Sequence, residues 1–270
     1  MSILNGASLI WKLQLLVQNR EKPWGRKVPI RKELKFGKIL ITMKVFKKDR
    51  RKVDSTKMSN SKSKAITIAT YDKDADMFDR KFNRLGARKA DINKAFSYIK
   101  QKGPFVFELG CGNGRDAKEI LKMTDNYIGI DASKALIAKA KEKAPSGRFE
   151  TADFESYRFP PEIDIIFAFA SLLHTDKESF KDILNRACRS LNKGGVFFLS
   201  LKYGQYQEKI QDETFGKRVF YYYTPELVKK LAGNKYRTVW EDIRDLRGQR
   251  WFIVTAIANQ TFSVSGLKMW

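Results

Sequence analysis

The sequence has 270 residues, with 53 Lys and Arg against 30 Asp and Glu, a formal net charge of +23 and an apolar fraction of 43%. This apolar fraction excludes a wholly disordered chain, and 17 Gly with 7 Pro exclude a collagen-like one. Two cysteines, Cys111 and Cys188, are too few for a disulfide framework or a four-cysteine zinc site. A single histidine, His174, excludes metal sites built on paired imidazoles. We therefore expect a cytoplasmic globular protein without a metal.

The positive charge is concentrated in the N-terminal part of the chain. Residues 1–64 contain 18 basic and 4 acidic residues, a net charge of +14, which leaves +9 for the other 206 residues. We interpret 1–64 as a basic extension, either disordered or upstream of a true start at Met58, and 65–270 as the folded domain. A mitochondrial-type presequence and an RNA-binding tail are alternatives, because both are rich in basic residues. The apolar stretch 7–17 is shorter than the roughly 20 residues that cross a bilayer, so no membrane partner is expected.

Helical and strand-like segments alternate from residue 65 onward, as is typical of a parallel sheet covered by helices. Helical periodicity dominates residues 71–102, with a break near Gly86. The tyrosine-rich segment 202–224 is interpreted either as a loop that closes over a ligand or as a surface loop with a strand at the sheet edge. The predicted strands are 105–109, 127–131, 148–152, 163–169, 195–201, 236–241 and 251–258. The predicted helices are 114–122, the segment that follows a Ser133 N-cap, 177–191 and 225–231.

Three glycines at alternate positions follow the first predicted strand, in the segment Glu108-Leu109-Gly110-Cys111-Gly112-Asn113-Gly114. Glycine adopts backbone torsions that are closed to other residues and lets a ligand approach the main chain. The dinucleotide fingerprint differs, since its third glycine comes one residue later. The acid that precedes the glycines would repel a pyrophosphate but attract an ammonium group.

Further features recur at the ends of the next predicted strands: Asp131, then Asp153-Phe154, then the turn Gly194-Gly195 before the fifth strand. With these features, residues 66–258 resemble the class I S-adenosylmethionine-dependent methyltransferases of the small-molecule type. The resemblance implies an α/β, Rossmann-like fold with a seven-stranded, mostly parallel sheet, helices on both faces and an antiparallel last strand. It also implies S-adenosyl-L-methionine as the cofactor and methyl transfer as the reaction.

The resemblance assigns cofactor contacts to the strand ends. Glu108 and the glycine loop would hold the amino-acid part of the cofactor, Asp131 its ribose and Asp153 its adenine. Phe169 and Ser171 would line the remaining pocket. The residues expected to contact the cofactor are Glu108, Gly110, Cys111, Gly112, Asn113, Gly114, Asp131, Ala132, Asp153, Phe154, Phe169 and Ser171.

The methyl acceptor is expected beyond the fourth and fifth strands. His174 follows the fourth strand and has an ordinary pKa suited to a general base, although it could instead cap or pack against the next helix. We expect Tyr71 to act as a lid. Lys202, Tyr203 and Tyr222 are expected to bind the acceptor.

Two sequence features restrict the chemical class of the methyl acceptor. The fourth strand ends in Ala168-Phe169-Ala170-Ser171, not in the Asn or Asp, two prolines and aromatic that mark methylation of nucleobase or glutamine nitrogens. Cys188 lies in a predicted helix, which disfavours a cysteine nucleophile for carbon methylation of pyrimidines. The expected function is methyl transfer to an O or N atom of a small molecule. An RNA methyltransferase that uses the basic extension, and a cofactor-binding regulator without turnover, are the alternatives; the sequence does not indicate an oligomeric state.

Overall fold

The structure is a computed structural model that describes residues 27–36, 39–48, 60–213 and 216–259. The chain divides into two compact units, Met1–Lys57 and Met58–Trp270. The described part of the first unit is an antiparallel hairpin of β1 (Lys27–Phe36) and β2 (Ile39–Lys48), in which Phe36 lies opposite Ile39. The other residues of the basic extension up to residue 59 lie outside the described part. Its interpretation as a leader or an early start stays a prediction.

The second unit contains helices and strands in alternation. Its helices are α1 (Asn60–Lys73), α2 (Ala75–Leu85), α3 (Lys89–Phe96), α4 (Ala117–Ile120), α5 (Lys134–Lys143), α6 (Lys177–Ser190) and α7 (Pro225–Ala232), with short 3-10 turns at Leu172–His174 and Gly233–Lys235. Its strands are β3 (Val106–Leu109), β4 (Tyr127–Asp131), β5 (Arg148–Thr151), β6 (Ile163–Phe169), β7 (Leu191–Lys202), β8 (Gln207–Glu213), β9 (Gly216–Tyr222), β10 (Tyr236–Leu246) and β11 (Gln249–Ala258).

Seven of these strands form one sheet in the order β10-β11-β7-β6-β3-β4-β5. The pairs from β5 to β7 are parallel, whereas β11 runs antiparallel to both β7 and β10. The expected seven-stranded, mostly parallel sheet with an antiparallel last strand is confirmed. Because β4, β3, β6 and β7 run the same way, their carboxyl ends meet at one edge, where ligands bind in open α/β sheets.

The sheet separates two hydrophobic cores. Every residue of β6 is buried; Ile166 and Ala168 belong to one core, and Ile165 and Phe167 to the other. Helices α6 and α7 cover the first core, and α3, α4 and α5 cover the second. Helices therefore lie on both faces, as expected, and the near-continuous apolar character of β6 is that of a strand covered on both sides.

Helix α1 begins at Asn60, well before the predicted helical start at residue 71. Its buried side chains include the small polar residues Ser63, Thr67 and Thr70. A helix that docks through hydroxyl groups shows no apolar periodicity, which is the signal that sequence reasoning uses. A helix was also predicted over residues 114–122, but only Ala117–Ile120 is α-helical.

The tyrosine-rich segment forms an antiparallel hairpin of β8 and β9 that is separate from the main sheet. Residues 218–222 of β9 are all buried, and Tyr223, which follows them, forms a bridge with Tyr203. The tyrosine-rich strand of the second interpretation is therefore present as β9, although β9 pairs with β8 and not with an edge strand of the main sheet. Among the described residues, no helix is long and apolar enough to cross a membrane.

Candidate active site

A cavity of about 660 Å³ opens at the carboxyl ends of β3, β4, β6 and β7. Helix α1, the end of α2 and strand β9 contribute further walls through Thr67, Tyr71, Phe82 and Arg218. Most of the residues that the sequence assigned to the cofactor line this cavity. They are Glu108, Gly110, Cys111, Gly112, Asn113, Asp131, Ala132, Asp153, Phe154, Phe169 and Ser171.

The glycine loop turns sharply out of β3. Gly110 has a φ of +74°, and a Cβ there would collide with the side chain of Ser171. Gly112 has a φ of +56°, and a Cβ there would meet only the Phe82 ring, at 3.8 Å. The main chain at Gly112 is therefore accessible from the cavity. Gly114 packs against Ala140 of α5 and lies outside the described cavity lining, so its role is to permit the turn.

Glu108 is buried at the base of this loop, and only 1% of its surface is exposed. Its carboxylate accepts a hydrogen bond from the Tyr127 hydroxyl at 2.6 Å. Burial, and then the nearby charge of Asp116, raise the pKa of Glu108 to about 8. An ammonium group beside this carboxyl would favour its charged form.

Asp131 joins the glycine loop to the next helix. Its Oδ2 accepts from the Gly112 backbone N–H at 2.9 Å, and its Oδ1 accepts from the Ser133 N–H at 2.8 Å. Burial raises the pKa of Asp131 to about 6, although both backbone hydrogen bonds favour the charged form. Ser133 accepts from the Leu136 N–H, which confirms the predicted N-cap of α5.

The carboxylate of Asp153 faces α1. Its Oδ2 accepts from Lys64 Nζ at 2.6 Å, and the same ammonium reaches Glu155 at 3.0 Å. A ligand amine at Asp153 would therefore share this carboxylate with Lys64. Phe154 lies beside it in the cavity wall.

Sequence reasoning missed a cation at the Glu108 end of the cavity. The guanidinium groups of Arg88 and Arg115 both contact the buried carboxylate of Asp116, and Arg88 lies 5.1 Å from the centre of the Phe169 ring. Arg88 falls in the break between α2 and α3, where the sequence has no periodic pattern. The side chain of Asn113 is also held by a residue far from it in the sequence, since its amide donates to Asp79 at 2.7 Å.

His174 is half-buried in the cavity wall beside Tyr71, with both ring nitrogens engaged. Nδ1 donates to the Val219 carbonyl at 2.6 Å, since a carbonyl can only accept. Nε2 then accepts from the Tyr71 hydroxyl at 3.0 Å, and that hydroxyl accepts from Arg218 at 2.9 Å. Burial, with the charges of Arg218 and Lys202, lowers the pKa of His174 to about 3. These contacts favour the packing alternative over a general base.

The structure separates the residues expected to bind the acceptor. Tyr71 and Lys202 line the cavity, whereas Tyr203 and Tyr222 lie outside its described lining. Tyr203 packs edge-on against Phe252, and the Tyr222 hydroxyl lies 3.3 Å from the amide of Gln211. The geometry does not support these two tyrosines as binding residues. Cys188 is buried on α6, away from the strand ends, as expected.

The described residues contain no group of three or more His, Cys, Asp or Glu side chains that could hold a metal ion.

Residues 106–195, from β3 to the start of β7, match the family model described as a methyltransferase domain. A solved 1,6-didemethyltoxoflavin-N1-methyltransferase of Burkholderia thailandensis, with its substrate and S-adenosylhomocysteine bound, superposes with a TM-score of 0.59 at 15% identity. The match covers 77% of this chain and 94% of that one. Residues 106–195 thus match a methyltransferase domain, and the chain has the fold of this solved methyltransferase.

A second solved relative of this methyltransferase domain is the magnesium protoporphyrin IX methyltransferase of Synechocystis PCC 6803 with bound S-adenosylmethionine. Its TM-score is 0.56 at 16% identity, and the match covers 75% of this chain and 99% of that one. At these identities the two structures establish the fold of the domain. The expected resemblance and the expected fold are both confirmed.

Curated relatives share parts of the methyltransferase domain. The trans-aconitate 2-methyltransferase of Acidovorax sp. strain JS42 is 32% identical over 98 residues, which is 36% of this chain and 37% of that one. A protein of Geobacillus sp. strain WCH70, described only as a methyltransferase, is 24% identical over 199 residues, 72% of this chain and 89% of that one. The chain thus spans little more than a third of the trans-aconitate methyltransferases that it matches.

Proposed function

We propose that this chain is an S-adenosylmethionine-dependent methyltransferase that acts on an O or N atom of a small molecule. The observation that carries the proposal is the single arrangement at the strand ends: a glycine loop with open main chain at Gly112, next to the buried Glu108 and the half-buried Asp131. The same cavity extends to Tyr71 and Lys202, which leaves room for a second molecule beside the cofactor.

The described residues fit the parts of the cofactor. The carboxyl of Glu108 would accept the ammonium of the methionine part, and Arg88 offers a cation to its carboxylate. Asp131 would accept from the ribose hydroxyls while it also holds the glycine loop. Asp153 and Phe154 offer a carboxylate and a ring to the adenine.

The cofactor supplies an activated methyl group, so the protein has to align the acceptor with it and exclude water. Tyr71 lies in the cavity wall with its hydroxyl fixed by two hydrogen bonds, one to His174 and one from Arg218. We propose that His174 holds Tyr71 in position. A neutral imidazole with both nitrogens engaged is a poor proton acceptor, so we assign His174 no direct role in the chemistry.

The names of the relatives support a small acceptor. The relatives include methyltransferases of trans-aconitate and of 1,6-didemethyltoxoflavin, which are small molecules. The alternative of an RNA methyltransferase depends on the basic extension, and no observation in the described residues favours it.

The proposal is tested by calorimetric titration of the protein with S-adenosylhomocysteine. Asp131→Asn keeps the size of the side chain but removes the charge that strengthens its hydrogen bonds, which is worth roughly 1.5–3 kcal/mol, so affinity should fall about tenfold or more. Asp125→Asn, at an exposed turn, should bind like the parent. A parent protein that does not bind S-adenosylhomocysteine would contradict the proposal.

A further inference from the structure

The last three residues of the glycine loop, Gly112-Asn113-Gly114, contain a single side chain, that of Asn113. Its two neighbours have φ angles of +56° and +73°. Glycine loses more conformational freedom than any other residue when its backbone is fixed. A contact that fixes this segment before a ligand arrives therefore reduces the entropy that is lost on binding.

Helix α2 holds the side chain of Asn113. This residue is buried, with 1% of its surface exposed, and its Nδ2 donates to Asp79 Oδ1 at 2.7 Å and to Asn83 Oδ1 at 3.1 Å. Its Oδ1 accepts from the Arg115 backbone N–H at 3.3 Å. Because these protein groups occupy the side-chain amide, Asn113 would contact a cofactor through its main chain.

Lys143, the last residue of α5, supports this anchor. Its Nζ donates to Asp79 Oδ1 at 2.6 Å and to Asn83 Oδ1 at 2.7 Å. Burial acts to raise the pKa of Asp79, but the hydrogen bonds from Lys143 and Asn113 outweigh it and lower this pKa below its usual value. Asp79 is therefore a carboxylate at neutral pH. A hydrogen bond to a charged group is roughly twice as strong as one between neutral groups, so Asp79 is the stronger of the two acceptors of the Asn113 amide.

A second ion pair joins the same two helices and provides a comparison. Asp76 of α2 contacts Lys139 of α5 at 3.0 Å, and Asp79 contacts Lys143 at 2.6 Å. The side chain of Asp76 is 72% exposed, whereas that of Asp79 is 21% exposed. In the described part of the chain, the carboxylate of Asp79 contacts the glycine loop and that of Asp76 does not.

We propose that Asp79 is a positioning residue for the cofactor site: by holding Asn113, it keeps the main chain of the glycine loop in the conformation that binds S-adenosylmethionine. This inference rests on the proposed function and adds to it a residue outside the described cavity lining. Asp79 acts on the cofactor through the loop and does not contact it.

The experiment is a calorimetric titration of the full chain with S-adenosylhomocysteine. Asp79→Ala removes the charged acceptor of the Asn113 amide, so affinity should fall roughly fivefold or more. Asp76→Ala is the matched control and should bind within about twofold of the parent. Both variants lose one ion pair between α2 and α5, so a weakening that came only from looser packing of these helices would appear in both. Equal affinity of the two variants would overturn the inference.

A double-mutant cycle tests whether Asp79 acts through Asn113. Asn113→Ala alone should weaken binding to a similar extent, and adding Asp79→Ala should then change the affinity by less than about twofold. Helix α2 also brings Phe82 to the cavity wall, which offers another route from Asp79 to the ligand. Losses that multiply in the double variant would show that Asp79 acts by such a route and would contradict the inference.

Asn83→Ala covers the case in which Asp79→Ala does not fold, as judged by the loss of a cooperative transition in urea. Asn83 is exposed and supplies the second, neutral acceptor of the Asn113 amide, so its replacement should weaken binding by a smaller factor, about two- to fivefold. Arg84→Ala, at the next exposed position of α2, is its control and should bind like the parent. Equal binding by these two variants would contradict the inference.

The titration of the parent protein distinguishes two failures. A parent that does not bind S-adenosylhomocysteine contradicts the proposed function itself. A parent that binds it, with an Asp79→Ala variant that binds it equally well, contradicts only the role of Asp79.

Discussion

Burial sets the charge of the residues at the strand ends in opposite ways. It raises the pKa of Glu108 to about 8 and that of Asp131 to about 6, and it lowers the pKa of His174 to about 3. All three groups are therefore pushed toward their neutral forms in the absence of a charged ligand. A bound ammonium would reverse this effect at Glu108.

This predicts a pH dependence of cofactor affinity. Below pH 8 the Glu108 carboxyl is largely protonated in the free protein, and it must release its proton to pair with the ammonium. Affinity for S-adenosylhomocysteine should then rise with pH between 6 and 7.5, by at most about tenfold per pH unit. Glu108→Gln should remove this slope, and Glu142→Gln, on the exposed face of α5, should keep it. Calorimetric titrations at three pH values test the prediction, and equal slopes in the parent and Glu108→Gln would contradict it.

Some site residues could be predicted from sequence and others could not. Glu108 and Asp131 lie at the carboxyl ends of β3 and β4, and Asp153 lies two residues after β5, so the strand pattern alone brings them to one edge. Arg88 and Arg218 reach the cavity from segments far away in the chain, and no local pattern marks them. Tyr203 directly follows Lys202, and successive side chains of an extended chain point to opposite sides, which explains why only Lys202 lines the cavity.

At the scale of elements, α1 is the clearest failure of the sequence pattern. It docks on β9 through hydroxyl groups: Thr67 Oγ1 donates to Ser63 O and accepts from the Val219 N–H at 3.0 Å, and Thr70 donates to Lys217 O at 2.6 Å. Helix α1 also supplies Tyr71 and Lys64 to the cavity. The polar contacts between α1 and β9 therefore position one wall of the site.

Replacement of Thr67 tests this docking. Thr67→Val keeps the shape of the side chain but leaves the buried Val219 N–H without its acceptor, which should cost about 1–3 kcal/mol of the free energy of unfolding. Thr238→Val, on an exposed position of β10, should change that free energy by less than about 0.5 kcal/mol. Urea unfolding measures both. A Thr67→Val protein as stable as the parent would show that the hydrogen bond does not hold α1 in place.

At the scale of the whole molecule, the order of the helices and strands was the feature that the sequence predicted most reliably. The apolar runs that became β3, β4, β6, β7 and β11 fix the parallel sheet and its antiparallel last strand, because strands buried on both faces leave a strong apolar signal. The hairpin of β8 and β9 was not predicted, because its tyrosines and charged residues alternate too weakly for the sequence pattern to distinguish a strand from a loop. Residues 1–57 of the basic extension form a compact unit of their own, and we propose that they take no part in methyl transfer.

Transfer of a radiolabelled methyl group is the direct test of whether this chain methylates small molecules. The protein is incubated with S-adenosylmethionine labelled in its methyl group and with a cell extract separated into small molecules, RNA and protein. We expect label in the small-molecule fraction, abolished by excess S-adenosylhomocysteine and strongly reduced by Asp131→Asn. Label that appears in RNA or protein instead, or transfer that is unaffected by Asp131→Asn, would contradict methyl transfer to a small molecule at this site.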